Sequence, residues 1–145
     1  KPLAGGLPIG ATLMTQDVAD AIAPGDHGST FAANPVVCAA AQVVFRRISQ
    51  PALLAHVREM GAYMQERLLG LKDKYAVIEM VRGCGLIWGL ALQCDAAPLI
   101  EACYAGGLLT CKAGAQVLRL LPPLVVERTD IDHAIAILEA AFVQL

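Results

Sequence analysis

Charge is scarce in this sequence. Only 17% of its residues are Asp, Glu, Lys or Arg, against a usual share of about 25%. The 11 basic residues form no stripe interleaved with aromatics, themselves only 5% of the chain, so the electrostatic footprint of a nucleic-acid binder is missing. The 13 acidic residues are scattered and build no tail, leaving a net charge of −2. No C-x-x-C occurs among Cys38, Cys84, Cys94, Cys103 and Cys111. An odd count without that spacing suggests neither a disulfide framework nor a zinc site. Reduced thiols fit a cytosolic, matrix or stromal compartment, and buried filler thiols are the expected role. His27, His56 and His133 also lack metal-ligand spacing, and His56 and His133 are expected to be exposed. A long apolar run is absent too. A membrane helix needs about 18 continuous apolar residues, and the longest uncharged stretch, 29–45, is broken by Asn34, Pro35 and Gln42. Lys1-Pro2-Leu3 has no secretory pattern, there is no repeat, and the chain does not begin with Met. It is expected to be part of a longer protein.

What the chain does have is apolar surface. Hydrophobic residues make up 57% of it and mean hydropathy is +0.57. That is more than 145 residues are expected to hide alone, and obligate partner surfaces are the more apolar ones. Partner surfaces are therefore expected, in cis or in trans.

The composition changes at Ser49-Gln50-Pro51. Before it, Gly, Pro and Ala dominate. Gly5-Gly6-Leu7-Pro8 predicts a turn, residues 9–14 a short buried strand, and Thr15 the cap of a short helix stopping near Pro24-Gly25. Asp26-His27-Gly28-Ser29-Thr30 predicts a polar loop. Asn34-Pro35 predicts an N-cap with proline at the first helical position, and the helix it opens is expected to be buried almost all round. After Pro51 the periodicity is cleaner. Leu53, Val57, Met60, Met64, Leu68 and Leu71 share one helical face. Residues 76–82 and 86–92 predict two strands joined through Gly83-Cys84-Gly85. Asp95 is expected to cap a helix ending at Gly106-Gly107. Residues 108–111 and 117–121 predict two further strands, and Thr129-Asp130-Ile131-Asp132 resembles a capping box before a last helix. Residues 51–145 thus predict a small α+β domain, a pattern that by itself would also suit a non-catalytic binding module, and residues 1–50 the end of a different, larger one.

Three places could carry chemistry. Lys1, beside Gly-rich backbone, could form a Schiff base with an aldehyde cofactor if its amine were held unprotonated; equally, it could be a solvated chain end. Gly28-Ser29-Thr30 could offer N–H and O–H donors to a phosphate, or be an ordinary turn. Arg119, among Val117, Leu118, Leu120 and Leu121, could grip a carboxylate through two hydrogen bonds. It could also belong to a structural ion pair or face outward from its strand. His27 sits in the candidate phosphate loop.

These pieces occur in a familiar order. Lys1-Pro2-Leu3-Ala4-Gly5-Gly6-Leu7-Pro8-Ile9-Gly10-Ala11 resembles the segment that begins with the cofactor lysine in class III aminotransferases, which use pyridoxal phosphate (PLP). Gly25-Asp26-His27-Gly28-Ser29-Thr30-Phe31 with Asn34-Pro35 resembles that family's phosphate loop, G-x-T-F-x-x-N-P. Val81-Arg82-Gly83-Cys84-Gly85-Leu86 resembles its V-R-G-x-G-L hairpin, and Val117-Leu118-Arg119-Leu120-Leu121-Pro122-Pro123-Leu124 its R-x-x-P-P-L strand end. The likeness covers essentially the whole chain. It is nearest to members acting on N-acetylornithine, particularly plant-type ones; ornithine, succinylornithine and 4-aminobutyrate aminotransferases share much of the pattern.

The resemblance implies the C-terminal part of a fold type I PLP-transferase. Residues 1–50 would end its large cofactor domain, and residues 51–145 would be its small α+β domain. It implies amino transfer from N-acetylornithine to 2-oxoglutarate, in arginine biosynthesis, by a homodimer with sites shared across subunits. The substrates would be small molecules, with no nucleic acid, membrane or metal involved. Lys1 would hold the cofactor and shuttle a proton, Ser29 and Thr30 would bind the phosphate of the neighbouring subunit's PLP, and Arg119 would hold the substrate α-carboxylate. The compartment would be the cytoplasm in a bacterium, or the plastid or mitochondrial matrix in a eukaryote. Three features depart from the family: Ala33 stands where Gly is usual, Cys84 fills a variable place, and Cys111-Lys112 lies near the usual A-G turn. The family's cofactor ring stack and the acidic partner of the pyridine nitrogen precede its lysine, so these 145 residues alone are not expected to transaminate.

Overall fold

The computed structural model describes residues 2–145, which divide into two compact units at Pro51/Ala52. Among the described residues, no helix is long and apolar enough to cross a membrane.

In the first unit, a single turn of 3-10 helix at Pro2–Ala4 precedes Gly5 and Gly6, both at positive φ. Ala4 is buried, and a Cβ built on Gly5 would lie 3.5 Å from Val44, so this turn packs on the helix carrying Val44. Residues 9–14 form no strand. A strand is stabilised by a paired neighbour, and the first unit contains none among the described residues; Leu13 is 93% exposed. Helix α1 (Gln16–Asp20) is short, and its N-cap Thr15 makes no side-chain capping bond. Helix α2 (Pro35–Ile48) starts as its sequence predicts: Asn34 Oδ1 accepts from the N–H groups of Val36 (3.1 Å) and Val37 (3.3 Å) ahead of Pro35 at the first position. The expectation that α2 is buried all round is not met. None of its residues is fully buried, and Val36, Val43 and Phe45 are exposed.

The second unit contains nearly all the buried hydrophobic residues. Its sheet has the order β1-β2-β4-β3, every pair antiparallel: β1 (Ile78–Cys84), β2 (Ile87–Leu92), β3 (Cys111–Lys112) and β4 (Val117–Leu120). Strand alternation sends Trp88, Leu90, Leu118 and Leu120 to one face, where they are buried. Helices α3 (Pro51–Lys74), α4 (Ala97–Ala105) and α5 (Arg128–Phe142) supply the other half of that core through residues such as Leu68, Leu99 and Leu138, each 0% exposed.

The β1–β2 hairpin explains its own glycines. Cys84 pairs with Ile87, so the loop is Gly85-Leu86, shorter than Gly83-Cys84-Gly85 suggested. Gly85 has φ +56°, matching the glycine-first pattern of a II′ turn. A Cβ on Gly83 would lie 2.6 Å from the Trp88 ring, and one on Gly61 of α3 only 2.5 Å from the Gly85 carbonyl oxygen. Trp88 Nε1–H donates to that same oxygen at 2.7 Å. The two glycines let ring, turn and helix close on each other.

Helices α3 and α5 are joined in matching order along both chains. Arg128 meets Glu59 (3.0 Å), Tyr63 donates to Asp132 (2.6 Å), and Lys74 meets Glu139 (2.7 Å). They therefore run side by side in one direction. Below these contacts, Tyr75 stacks on Phe142 with ring centroids 4.8 Å apart. The cap of α5 lies earlier than Thr129: Glu127 is the N-cap, and its N–H donates to Asp130 Oδ2 at 3.0 Å. His56 is half-buried rather than exposed, with Nε2 3.0 Å from the Val126 carbonyl oxygen; His133 is exposed.

Candidate active site

Lys1, the first of the sequence-derived site residues, lies outside the described residues. The loop before α2 is built from two turns. At the first, the Ala23 N–H donates to Asp26 Oδ2 (2.8 Å) and the Asp26 N–H returns to the Ala23 carbonyl (3.1 Å), with Gly25 at φ +103°. At the second, the Ala32 N–H donates to the Ser29 carbonyl (3.2 Å). Ala33 then takes φ +54°, a region that an L-residue enters at a cost, before Asn34 caps α2. This accounts for the usual glycine at that place.

Within this frame Ser29 and Thr30 are exposed, and neither hydroxyl has a hydrogen-bond partner among the described residues. The first N–H groups of α2 are already taken by Asn34. The donors left for an anion are the two hydroxyls and the loop's own N–H groups. A cleft in this unit is lined by Ser29, Asn34, Ile9 and Gly10 but not by Thr30. His27 is exposed in the same loop.

Arg119 lies on β4, with Gly89 of β2 paired on one side and Cys111 of β3 on the other. Its neighbours Leu118 and Leu120 point into the core, so its side chain stands on the opposite, open face. Of the alternatives left by the sequence, the structural ion pair drops out: among the described residues Arg119 has no carboxylate partner, whereas Arg67, Lys74, Lys112 and Arg128 each have one.

A second arginine escaped the sequence reading. Arg82 pairs with Gly89, which pairs with Arg119, so one row across the open face reads Arg82, Gly89, Arg119, Cys111. Strand alternation hinted at the face of Arg82, but only the pairing register reveals that neighbour. Lys112, beside the row, is tied to Asp95 at 2.7 Å. That ion pair and the Ala97 N–H hold the Asp95 carboxyl below its ordinary 3.8. The thiols differ from expectation: Cys103 alone is fully buried, and burial pushes it up to about 11, while Cys84, Cys94 and Cys111 are exposed.

Residues 1–142 match the family described as aminotransferase class-III. The mitochondrial acetylornithine aminotransferase of Alnus glutinosa is 47% identical over 139 residues, covering 95% of this chain and 31% of that protein. The acetylornithine aminotransferase of Aquifex aeolicus is 44% identical over 140 residues, covering 95% and 35%. Among solved structures, an amine transaminase from an uncultivated Pseudomonas species, in a PLP-bound form, superposes with a TM-score of 0.85 at 32% identity, over 98% of this chain and 36% of that one. The acetylornithine aminotransferase of Elizabethkingia anophelis does so with a TM-score of 0.81 at 28% identity, over 92% and 36%. The chain thus spans about a third of the length of the proteins it matches.

Proposed function

The chain belongs to the class III aminotransferases, and from that premise we propose that the complete protein moves an amino group from N-acetylornithine to 2-oxoglutarate, with PLP as cofactor, in arginine biosynthesis. The names of the relatives support the donor, and the open arginine supports the acid. The observation that carries the reading is Arg119: its backbone is fixed by strand pairing on both sides, its side chain is on an open sheet face, and it has no carboxylate partner among the described residues. Such a fork is free to take a substrate carboxylate through two charge-assisted hydrogen bonds.

In this reading residues 1–50 end the large cofactor domain and residues 51–145 form the small C-terminal one, a division supported by the two compact units. The donor set of the loop fits the cofactor's phosphate, because among the described residues the hydroxyls of Ser29 and Thr30 have no partner, while Asn34 and Asp26 secure the backbone around them. Ser29 and Thr30 would donate to that phosphate across a homodimer interface. Lys1 would hold the cofactor through its unprotonated amine and would move the proton of the substrate carbon that bears the transferred amine, which in N-acetylornithine is the terminal side-chain carbon because the α-amine is acylated. When bound, PLP supplies the electron sink for that carbon. Arg119 would orient the substrate by its α-carboxylate; fixing a loose substrate contributes several kcal/mol to catalysis.

The test is borohydride reduction of the complete protein with PLP, followed by peptide mapping, alongside an assay of glutamate formation from 2-oxoglutarate with N-acetylornithine, ornithine, succinylornithine and 4-aminobutyrate as donors. A pyridoxyl adduct on Lys1 and a preference for N-acetylornithine are expected. An adduct on a different lysine overturns the role of Lys1, and a preference for another donor overturns the substrate assignment.

A further inference from the structure

We propose that Tyr104 is a positioning residue for Arg119: its hydroxyl holds the edge strand β3 against β4, and β3 in turn bounds the side of Arg119 that faces away from β2. This rests on the carboxylate role proposed above for Arg119.

Strand β3 has little with which to hold itself. It is two residues long, and Cys111 and Lys112 alone pair with β4. Its outer side meets no further strand among the described residues, because β3 ends the order β1-β2-β4-β3. Thr110, just before it, is 4% exposed, and its hydroxyl has no partner among the described residues. A buried hydroxyl left in that way is unfavourable, so other contacts must keep the segment in place.

Those contacts come from α4 and its approach. The Tyr104 hydroxyl donates to the Thr110 carbonyl at 2.8 Å. The Leu108 N–H donates to the Cys103 carbonyl at 2.8 Å. Lys112 Nζ reaches Asp95 Oδ1, just ahead of the helix, at 2.7 Å. The helix itself is anchored in the core by Leu99 and Cys103, each 0% exposed. Segment 108–112 is therefore tied at three points to one rigid element. The Tyr104 bond is partly buried and lies one residue from Cys111. The residue is 49% exposed, so the hydroxyl bond is the larger part of what Tyr104 supplies.

Arg119 depends on β3 through register. Cys111 stands directly opposite it, and directly opposed residues of antiparallel strands share a face, with Cβ atoms about 5 Å apart. On the other side Gly89 has no side chain, and the space over it is closed by Val117, whose Cγ1 lies 3.2 Å from where a Cβ would stand. Val117 is two residues from Arg119 on the same strand and so shares its face. The arginine is thus bounded by Val117, which its own strand fixes, and by Cys111, which β3 fixes. A guanidinium fork grips well when it is set in advance. If β3 drifts, Arg119 gains rotamers that must be given up again on binding.

The experiment uses the complete enzyme loaded with PLP, and measures glutarate binding by calorimetry, kinetics with 2-oxoglutarate, and thermal unfolding. Glutarate has carboxylates but no amino or keto group, so it reports the grip without turnover. Tyr104→Phe keeps the ring and removes the bond to Thr110. Its glutarate affinity should fall roughly three- to ten-fold, the usual contribution of one hydrogen bond. The KM for 2-oxoglutarate should rise by as much, with kcat close to wild type. A residue serving the fold alone would lower the melting temperature and leave these constants unchanged, and that result overturns the inference. The sharper readout is coupling. In an Arg119→Lys background, Tyr104→Phe should bring no further loss of affinity, because the geometry it protects is already gone; the same loss repeated there overturns the inference. If Tyr104→Phe does not fold, Lys112→Gln, which frees the same segment at its exposed end, is read in both backgrounds in the same way, with a loss of about two-fold or more expected. Wild-type glutarate affinity in Arg119→Lys ends the carboxylate role of Arg119 and this inference with it. Lost affinity in Arg119→Lys beside an unaffected Tyr104→Phe ends the inference alone. If no amino group reaches 2-oxoglutarate, yet the coupling appears in glutarate binding, the proposed activity fails and the positioning role stands.

Discussion

Ala33 holds φ +54° one residue before the cap of α2, in a conformation costing an L-residue about 1–2 kcal/mol. Glycine removes that strain but adds freedom to the unfolded chain, worth about 0.5–1 kcal/mol. Ala33→Gly in the complete protein should therefore stabilise by on the order of 0.5–1 kcal/mol, measured by denaturant titration with PLP bound; a loss of stability would mean that the methyl makes contacts outweighing its strain. Arg119 behaves differently, because its worth lies in geometry rather than packing. Arg119→Lys keeps a positive charge on the open face but replaces a planar fork by a point charge. Turnover per KM should drop roughly ten- to a hundred-fold with melting temperature unchanged, as read by parallel kinetics and thermal unfolding. Equal losses in both would assign Arg119 to the fold. Both residues stood out in the sequence, one as a departure from a motif and one as a charge among apolar neighbours, because each breaks a local rule. Arg82 breaks none on its own. Its place in one row with Arg119 comes from a register that joins β1 to β4 through β2, and pairing across a third strand leaves no trace in local sequence.

At the scale of elements, legibility followed burial. Helices α3 and α5 show an apolar stripe because each turns one face to the core through Met60, Met64, Leu68 and Leu71, or Ile131, Ile135 and Leu138, and β4 alternates for the same reason. The segment 9–14 reads as a strand by composition but has no ladder to join among the described residues of its unit. Strand β3 shrinks to Cys111–Lys112 because only those two residues face β4. The cap of α5 lies at Glu127 because Asp130 reaches back to that N–H, and several residue pairs near a helix start can satisfy a capping pattern. The Asp95–Lys112 ion pair joins the segment leading into α4 to the edge strand, and its pH dependence is determined. Lys112 first, then the Ala97 N–H, lower the Asp95 pKa. A carboxylate depressed in the folded state contributes stability that is present above its unfolded pKa and lost as pH falls through the folded value. The protein should lose more stability between about pH 5 and pH 3 than Asp95→Asn does, measured by urea unfolding at each pH. Parallel curves would show that the ion pair contributes nothing to folding, as holds for many exposed pairs.

On the scale of the whole molecule, the two units differ in what they can hide. Ala4 is the one fully buried hydrophobic residue described in the first, which leaves Leu13 93%, Phe31 80% and Val36 72% exposed. The second encloses a continuous core in which Leu68, Leu90, Leu99, Leu118 and Leu138 are 0% exposed. The high apolar content read from composition is thus distributed unevenly: one part is a core already made, the other is surface awaiting cover. Folding alone requires enough burial to offset chain entropy of about 1–2 kcal/mol per residue. A segment with one buried side chain falls far short, while a sheet with helices packed on one face is a stable layer architecture around a single core. Residues 52–145 expressed alone should unfold cooperatively with dispersed amide resonances, and residues 1–51 alone should give the narrow dispersion of an unordered chain. The second unit's open face would then be available to probe Arg119 without the rest of the enzyme. An unordered 52–145 would reverse the argument, making the core shown here dependent on surface that lies outside it.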